Sequence, residues 1–183
     1  AYGYFIKVVI ADGLAPMVDA VYYEQQQFGL SVVLGTIAFG LQIYCDFMGY
    51  SLIAKGLASL LGFELIFNFN LPYWSMSIQE FWRRWHISLS SWFRDYLYIP
   101  LGGNRAGKWR TYFNLLLVFF LCGLWHGASW TFVVWGLYHG LFLIAERIGL
   151  GRILSLLPGF LQHAYTLLVV MIGWVFFRSE TLD

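Results

Sequence analysis

The side chains best suited to move a proton at neutral pH in this chain are its four histidines, His86, His126, His139 and His163. An imidazole has an unperturbed pKa near 6.5, so a neutral ring can accept a proton from a hydroxyl as a general base. His126 is set apart by its surroundings. It lies in Leu124-Trp125-His126-Gly127-Ala128-Ser129-Trp130, a polar, glycine-containing break inside an uncharged apolar run. His86 follows Arg83 and Arg84 on a segment with helical spacing. His139 and His163 fall within apolar stretches, where histidines commonly hydrogen-bond between helices, and are read as structural. Other chemistries are poorly supplied. Cys122 and His126 have the i, i+4 spacing of helical metal ligands, but no third ligand follows at a matching spacing, so no metal site is expected. A Gly-x-Ser-x-Gly elbow is absent. No carboxylate pair sits within an apolar run, as a proton or ion carrier would need, and Asp46 reads as a helix-end partner. Cys45 and Cys122 both lie in apolar segments and read as buried thiols.

The elements that must hold these groups are membrane helices. Of 183 residues 60% are hydrophobic and 11% charged, with a mean hydropathy of +0.65. A soluble domain carries about 25% charged residues, so lipid must replace water over much of this surface. The nine tryptophans suit the membrane interface. A net charge of +1 without a long basic run leaves nucleic acid out of the expected partners. Three stretches lack Asp, Glu, Lys and Arg: Phe28–Cys45, extendable past Asp46 to Tyr50, then Thr111–Ala145 and Ile153–Phe177. Pro158-Gly159 shortens the last to 160–177. The runs are continuous rather than alternating, which disfavours strands. The expected membrane segments are therefore 28–50, 111–126, 130–146 and 160–177, with an interfacial, cytoplasmic region over 51–110. Both ends of the chain read as cut, so residues 1–183 are expected to be an internal piece of a single transmembrane domain.

The second stretch is too long for one span and too short for two. Each of two helices of about 16 residues would rise only about 24 Å, against a hydrocarbon core of about 30 Å. A break near His126 at that depth is tolerable only against protein or a water-filled cavity, since lipid cannot satisfy freed backbone groups. A re-entrant-like hairpin that turns His126 towards an internal cavity is expected. Within 51–110, Ser77-x-x-Glu80 is a capping-box pattern that predicts an interfacial helix running to about Ser91. Leu101-Gly102-Gly103-Asn104-Arg105 predicts a tight turn. Arg83, Arg84, Arg94, Arg105, Lys108 and Arg110 concentrate positive charge between these elements, which places this region on the cytoplasmic side and His126 in the outer half of the membrane.

Several blocks carry a resemblance. They are Gln42-Ile43-Tyr44-Cys45-Asp46-Phe47-Met48-Gly49-Tyr50-Ser51, Asn68-Phe69-Asn70-Leu71-Pro72-Tyr73, Glu80-Phe81-Trp82-Arg83-Arg84-Trp85-His86-Ile87-Ser88-Leu89-Ser90, Arg94 through Arg105, Gly123-Leu124-Trp125-His126-Gly127 and Ile172 through Arg178. In these the chain resembles the membrane-bound O-acyltransferase family, and its bacterial alginate O-acetyltransferase-like branch in particular. It departs from that branch at Met48 and Leu52, where Ser and Asp are usual. The resemblance implies an all-α, polytopic integral membrane bundle with interfacial helices. It also implies an acyltransferase in the bacterial cytoplasmic (inner) membrane.

By that resemblance His126 falls on the catalytic histidine, and His86 falls on a second motif position, often Asn or His, that supports it from the donor side. No tightly bound cofactor is implied. The donor is acetyl-CoA or an acyl-carrier thioester, bound as substrate. The acceptors are hydroxyls of an exported glycan such as alginate or peptidoglycan. Implied partners are membrane lipid and an extracytoplasmic transferase that takes over the acyl group. Two rivals stand beside this reading: D-alanyl transfer to teichoic acid, and a non-catalytic membrane scaffold or acyl-group channel.

Overall fold

The computed structural model describes residues 1–23 and 29–182, and every regular element among them is helical. The chain forms two compact units, Ala1–Phe69 and Asn70–Asp183. Among the described residues three helices are long and apolar enough to cross a membrane: Leu30–Leu60, Trp130–Ser155 and Gly159–Arg178.

In the first unit α1 (Tyr2–Phe5), a π-helical stretch (Ile6–Ala11) and α2 (Asp12–Tyr23) pack along the long helix α3 (Leu30–Leu60). Small residues let the backbones meet: a Cβ on Gly3 would lie 2.7 Å from the carbonyl oxygen of Gly49. Lys7 Nζ bridges Asp12 and Asp46 at 2.7 and 2.8 Å. The helix itself extends beyond the expected first segment of 28–50. The helix runs ten residues past Tyr50 to Leu60, because Asp46 has its cation supplied by a packed neighbour instead of marking the membrane exit. Phe28, the expected start, lies outside the described residues.

The second unit begins with a single 3-10 turn (Pro72–Trp74) and the short helices α4 (Ile78–Arg84) and α5 (Ile87–Phe93). Ser77 caps α4 as the sequence pattern predicts, its Oγ accepting from Glu80 N at 3.1 Å, while Glu80 Oε2 accepts from Met76 N at 2.8 Å. A second cap comes from far away. Glu146 accepts from Ile78 N at 2.7 Å and from Gln79 N at 3.2 Å, satisfying donors that a helix start leaves unpaired. The inner side of α4 buries Ile78 and Phe81 completely, and Trp85 lies just beyond its end at 4% exposure. Relative to water, each contributes roughly 1.5–3 kcal/mol.

The helix expected to reach Ser91 instead breaks after Arg84. Trp85 is extended and His86 is left-handed (φ 43°, ψ 56°) before α5 begins. The break carries Trp85 inward against Trp174, with ring centroids 4.9 Å apart. Tertiary packing overrides local helix preference there. The expected turn at 101–105 forms through Gly102 (φ 101°) and Gly103 (φ 50°), conformations that glycine adopts without steric cost. It is tied down by Asn114 Nδ2, which donates to Leu101 O at 3.1 Å.

The rest of the unit is a hairpin, α6 (Lys108–His126) and α7 (Trp130–Ala145), and a final helix here called α8 (Gly159–Arg178). The rod begun by α7 continues through Glu146–Leu150 to Ser155, kinked at Gly149. The hairpin is close-packed through two Gly-x-x-x-Gly pairs, Gly123 with Gly127 and Gly136 with Gly140, a spacing that lets helices approach in lipid. A Cβ on Gly136 would lie 2.2 Å from Phe119 O, and one on Gly123 would lie 2.4 Å from Phe132 O. Helix α6 is not among the three helices able to cross a membrane. Lys108, Arg110, Thr111 and Asn114 occupy its first turns, and the apolar stretch Leu115–Trp125 rises only about 16 Å.

Candidate active site

His126 is the last residue of α6, and the chain leaves the helix at once through extended Gly127 to Ser129, the N-cap of α7. Ser129 Oγ accepts from Thr131 N at 3.3 Å, so the break is closed by a regular helix start. The imidazole stands in a ring of aromatic side chains. Its centroid lies 4.9 Å from that of Trp125, 5.0 Å from Trp135 and 5.1 Å from Phe177, each contact edge-to-face, with Phe132 at 6.3 Å. Trp135 comes from α7 and Phe177 from α8, so three helices fix the position of this one ring.

His86 approaches from the break between α4 and α5, its ring 6.1 Å from Trp125. Burial, and after it the nearby His126, pushes the His86 imidazole down to about 4, so it is neutral at physiological pH. The two histidines singled out by the sequence therefore share one neighbourhood, bridged by Trp125. His139 lies one turn further along α7 from Trp135 and is 1% exposed, its Nε2 facing Gly173, where a Cβ would come within 2.6 Å. Its ring, Trp135 and Trp82 are mutually edge-to-face at 5.1 to 5.6 Å. Trp82 Nε1, Trp135 Nε1 and His139 Nδ1 are buried with no hydrogen-bond partner among the described residues. His163 is elsewhere, stacked on Trp74, with Nδ1 3.3 Å from Ser75 O. Cys122 lies one turn before His126 on α6, and among the described residues no three His, Cys, Asp or Glu side chains gather as a metal would require.

A cavity of about 500 Å³ opens beside this cluster. Trp82 and Arg83 of α4, Ser90 of α5, Arg94, and Phe119 and Cys122 of α6 contribute to its walls. Its polar lining includes Arg83, Ser90 and Arg94, the last paired with Asp95 at 2.7 Å, while the apolar floor on α6 comes within one helical turn of His126, about 6 Å along the axis. Trp82 forms a partition, facing the cavity on one side and meeting Trp135 and His139 on the other. No local sequence pattern marks this cavity, because its lining is drawn from residues 79 to 143. The roles of Trp82, Trp135 and Phe177 were likewise not singled out. The Gly-x-x-x-Gly pairs were the signal that could have found the hairpin's close packing, and with it Trp135.

Three helices long and apolar enough to cross a membrane, with a tight hairpin packed beside them, define a multi-pass membrane protein. The membrane-bound O-acyltransferase family model matches residues 5–177, and the chain belongs to that family. It is 50% identical over 99% of its length to a probable alginate O-acetylase, AlgI, of Azotobacter vinelandii, and 40% identical over 99% to a peptidoglycan O-acetyltransferase of Helicobacter pylori. A teichoic acid D-alanyltransferase of Streptococcus thermophilus is 32% identical over 78% of the chain. The chain spans about a third of the length of these relatives, 36%, 35% and 36% respectively.

Proposed function

We propose that the protein containing this chain is an O-acyltransferase of the bacterial inner membrane. It moves an acetyl group from a cytoplasmic thioester donor, acetyl-CoA or an acyl-carrier thioester, across the membrane toward hydroxyls of an exported polysaccharide such as alginate or peptidoglycan, by way of an extracytoplasmic transferase that takes over the acyl group and passes it to the glycan. The observation that carries this reading is the position of His126. It ends the first helix of a close-packed hairpin, is ringed by aromatic side chains, and lies one turn from a cavity whose walls include Arg83 and an apolar face of α6. Arg83 suits the phosphates of a donor, and the apolar floor suits its pantetheine arm and acyl group. The identity to alginate and peptidoglycan acetylating relatives is higher and covers more of the chain than the identity to the D-alanyl branch, which supports acetyl as the group moved.

In the proposed reaction His126 takes the proton from the attacking hydroxyl as its oxygen bonds to the thioester carbonyl carbon. The C–S bond then breaks and the thiol leaves with a proton. The surrounding rings exclude water that would otherwise hydrolyse the thioester. A positioned general base contributes on the order of 10²- to 10⁴-fold to rate. The test is His126→Ala in the protein containing this chain, expressed in cells lacking their own copy. Acetyl and D-alanyl ester contents of exported glycans would be measured alongside membrane protein level. Loss of acetyl esters at normal protein level is expected. Unchanged acetyl esters would overturn the role of His126, and loss of D-alanyl esters alone would move the protein to the other branch.

A further inference from the structure

The wall that α6 gives the 500 Å³ cavity is uniform in chemistry and fixed in place. Leu115, Val118, Phe119 and Cys122 form an i, i+3, i+4, i+7 stripe along it, hydrocarbon with a single thiol. No Asp or Glu among the described residues lines the cavity, and its charged members are Arg83 and the Asp95-paired Arg94. The part of the stripe nearest His126 is Phe119 and Cys122, 9% and 5% exposed. Trp82 closes it from α4, its ring edge-to-face with that of Phe119 at 5.1 Å. Behind this wall α6 is held hard against α7. A Cβ on Gly136 would lie 2.2 Å from Phe119 O, and one on Gly123 would lie 2.4 Å from Phe132 O, so the backbone has no room to retreat.

We propose that Phe119 and Cys122 set the acyl specificity of this cavity, admitting a short, uncharged acyl group and rejecting bulkier and aminoacyl groups by separate means. The inference rests on the reading of this cavity as the donor site. For His126 to serve the reaction, the thioester must lie at the Phe119–Cys122 end, with the rest of the donor towards Leu115 and the exposed Arg83. Each added methyl or methylene group there meets a close-packed wall that cannot yield. An ammonium there would lose its water, find no carboxylate to pair with and share the cavity with Arg83. Opening the wall relieves the first exclusion and leaves the second in force.

Acetyl, isobutyryl and D-alanyl thioesters of CoA separate the two, since isobutyryl and D-alanyl share a shape and differ by a methyl group against an ammonium. Relative kcat/KM for the three would be measured on the purified full-length protein. The wild type is expected to prefer acetyl to isobutyryl by about 10- to 200-fold, the range one misfitting methylene produces in an apolar pocket. Phe119→Leu should raise the isobutyryl-to-acetyl ratio about 10-fold or more and leave the D-alanyl-to-acetyl ratio within about twofold. Cys122→Ala widens the same wall by a smaller change and should move the ratio in the same direction, so it carries the test if the Phe119 variant does not fold. An isobutyryl ratio unmoved by the wider wall overturns the proposal, as does a wild type that uses D-alanyl as well as acetyl. In parallel, labelling of Cys122 in the wild type by a small thiol reagent would be followed on its own peptide, with and without an unreactive thioether analogue of acetyl-CoA. Protection by the analogue is expected. Labelling that the analogue does not slow shows that the donor binds elsewhere, which sinks the donor-site reading and the inference with it. Protection with unmoved ratios leaves that reading standing and overturns the inference alone.

Discussion

Gly136→Ala puts one methyl group at the tightest point of the α6–α7 hairpin. The new Cβ would start 2.2 Å from the carbonyl oxygen of Phe119, a backbone atom that cannot swing aside as a side-chain tip could. To reach ordinary van der Waals separation the two helices must part by about 1 Å. Overpacking of this kind costs about 1–3 kcal/mol. The functional effect should be larger than the loss of stability suggests. Trp135 is the neighbouring residue on α7 and braces His126 at 5.0 Å, so the displacement passes straight to the imidazole. A misplacement of about 1 Å at a reacting group costs on the order of 10²-fold in rate. Thermal unfolding and initial rates of acetyl transfer from a thioester, both on the detergent-purified protein, would measure the two effects. Gly56→Ala is the control, since nothing lies within 4 Å of its Cβ position on α3. It should leave the rate alone and stabilise the helix by up to about 1 kcal/mol. A Gly136→Ala protein with wild-type rate and melting temperature would refute the claim that hairpin spacing positions His126.

Two further predictions follow from the elements around the site. Glu146→Ala removes both acceptors from the first donors of α4 and should cost about 1–3 kcal/mol, read as a lower melting temperature. Glu146→Gln should recover part of that, and an unchanged melting temperature in the Ala variant would show the cap to be idle. For pH, the folded His86 sits at about 4, below its ordinary 6.5. Between pH 6.5 and 4 the unfolded chain takes up a proton that the folded chain refuses, so this residue's contribution is fully present above 6.5 and is lost as pH falls. The wild type should therefore lose more melting temperature between pH 7.5 and 5 than His86→Asn, and equal losses would contradict the burial of a neutral ring.

The hairpin break was legible because glycine and polar residues interrupt an otherwise uncharged run, and no single helix of 35 residues fits a bilayer without them. The start of α4 was legible for a similarly local reason, a serine three residues before a glutamate. Its end was not. Arg84, Trp85, His86 and Ile87 are all acceptable in a helix, and only the burial of Trp85 against Trp174 and Phe81 makes the break favourable. The sequence carries the first segment past Asp46 only to Tyr50, because the uncharged apolar run stops at Cys45 and polar residues follow. Lys7, thirty-nine residues earlier, makes that charge tolerable. The histidines were visible by type, but the cavity beside them is a property of packing and leaves no periodicity in the chain.

The cap that Glu146 places on α4 also orders events in time. A ribosome delivers residues 78–84 well before Glu146, 68 positions after Ile78. During that interval the first donors of α4 have only Ser77 and water for company, and a seven-residue helix is too short to hold itself together. The segment must wait at the membrane surface, partly unwound, until the hairpin has been inserted and its far end returns to the same side. Trp85 must wait longer still to turn inward, since its partner Trp174 lies on α8 and is made later than Glu146. A nascent chain released before Glu146 emerges would carry His126 without the chamber that gives it a task.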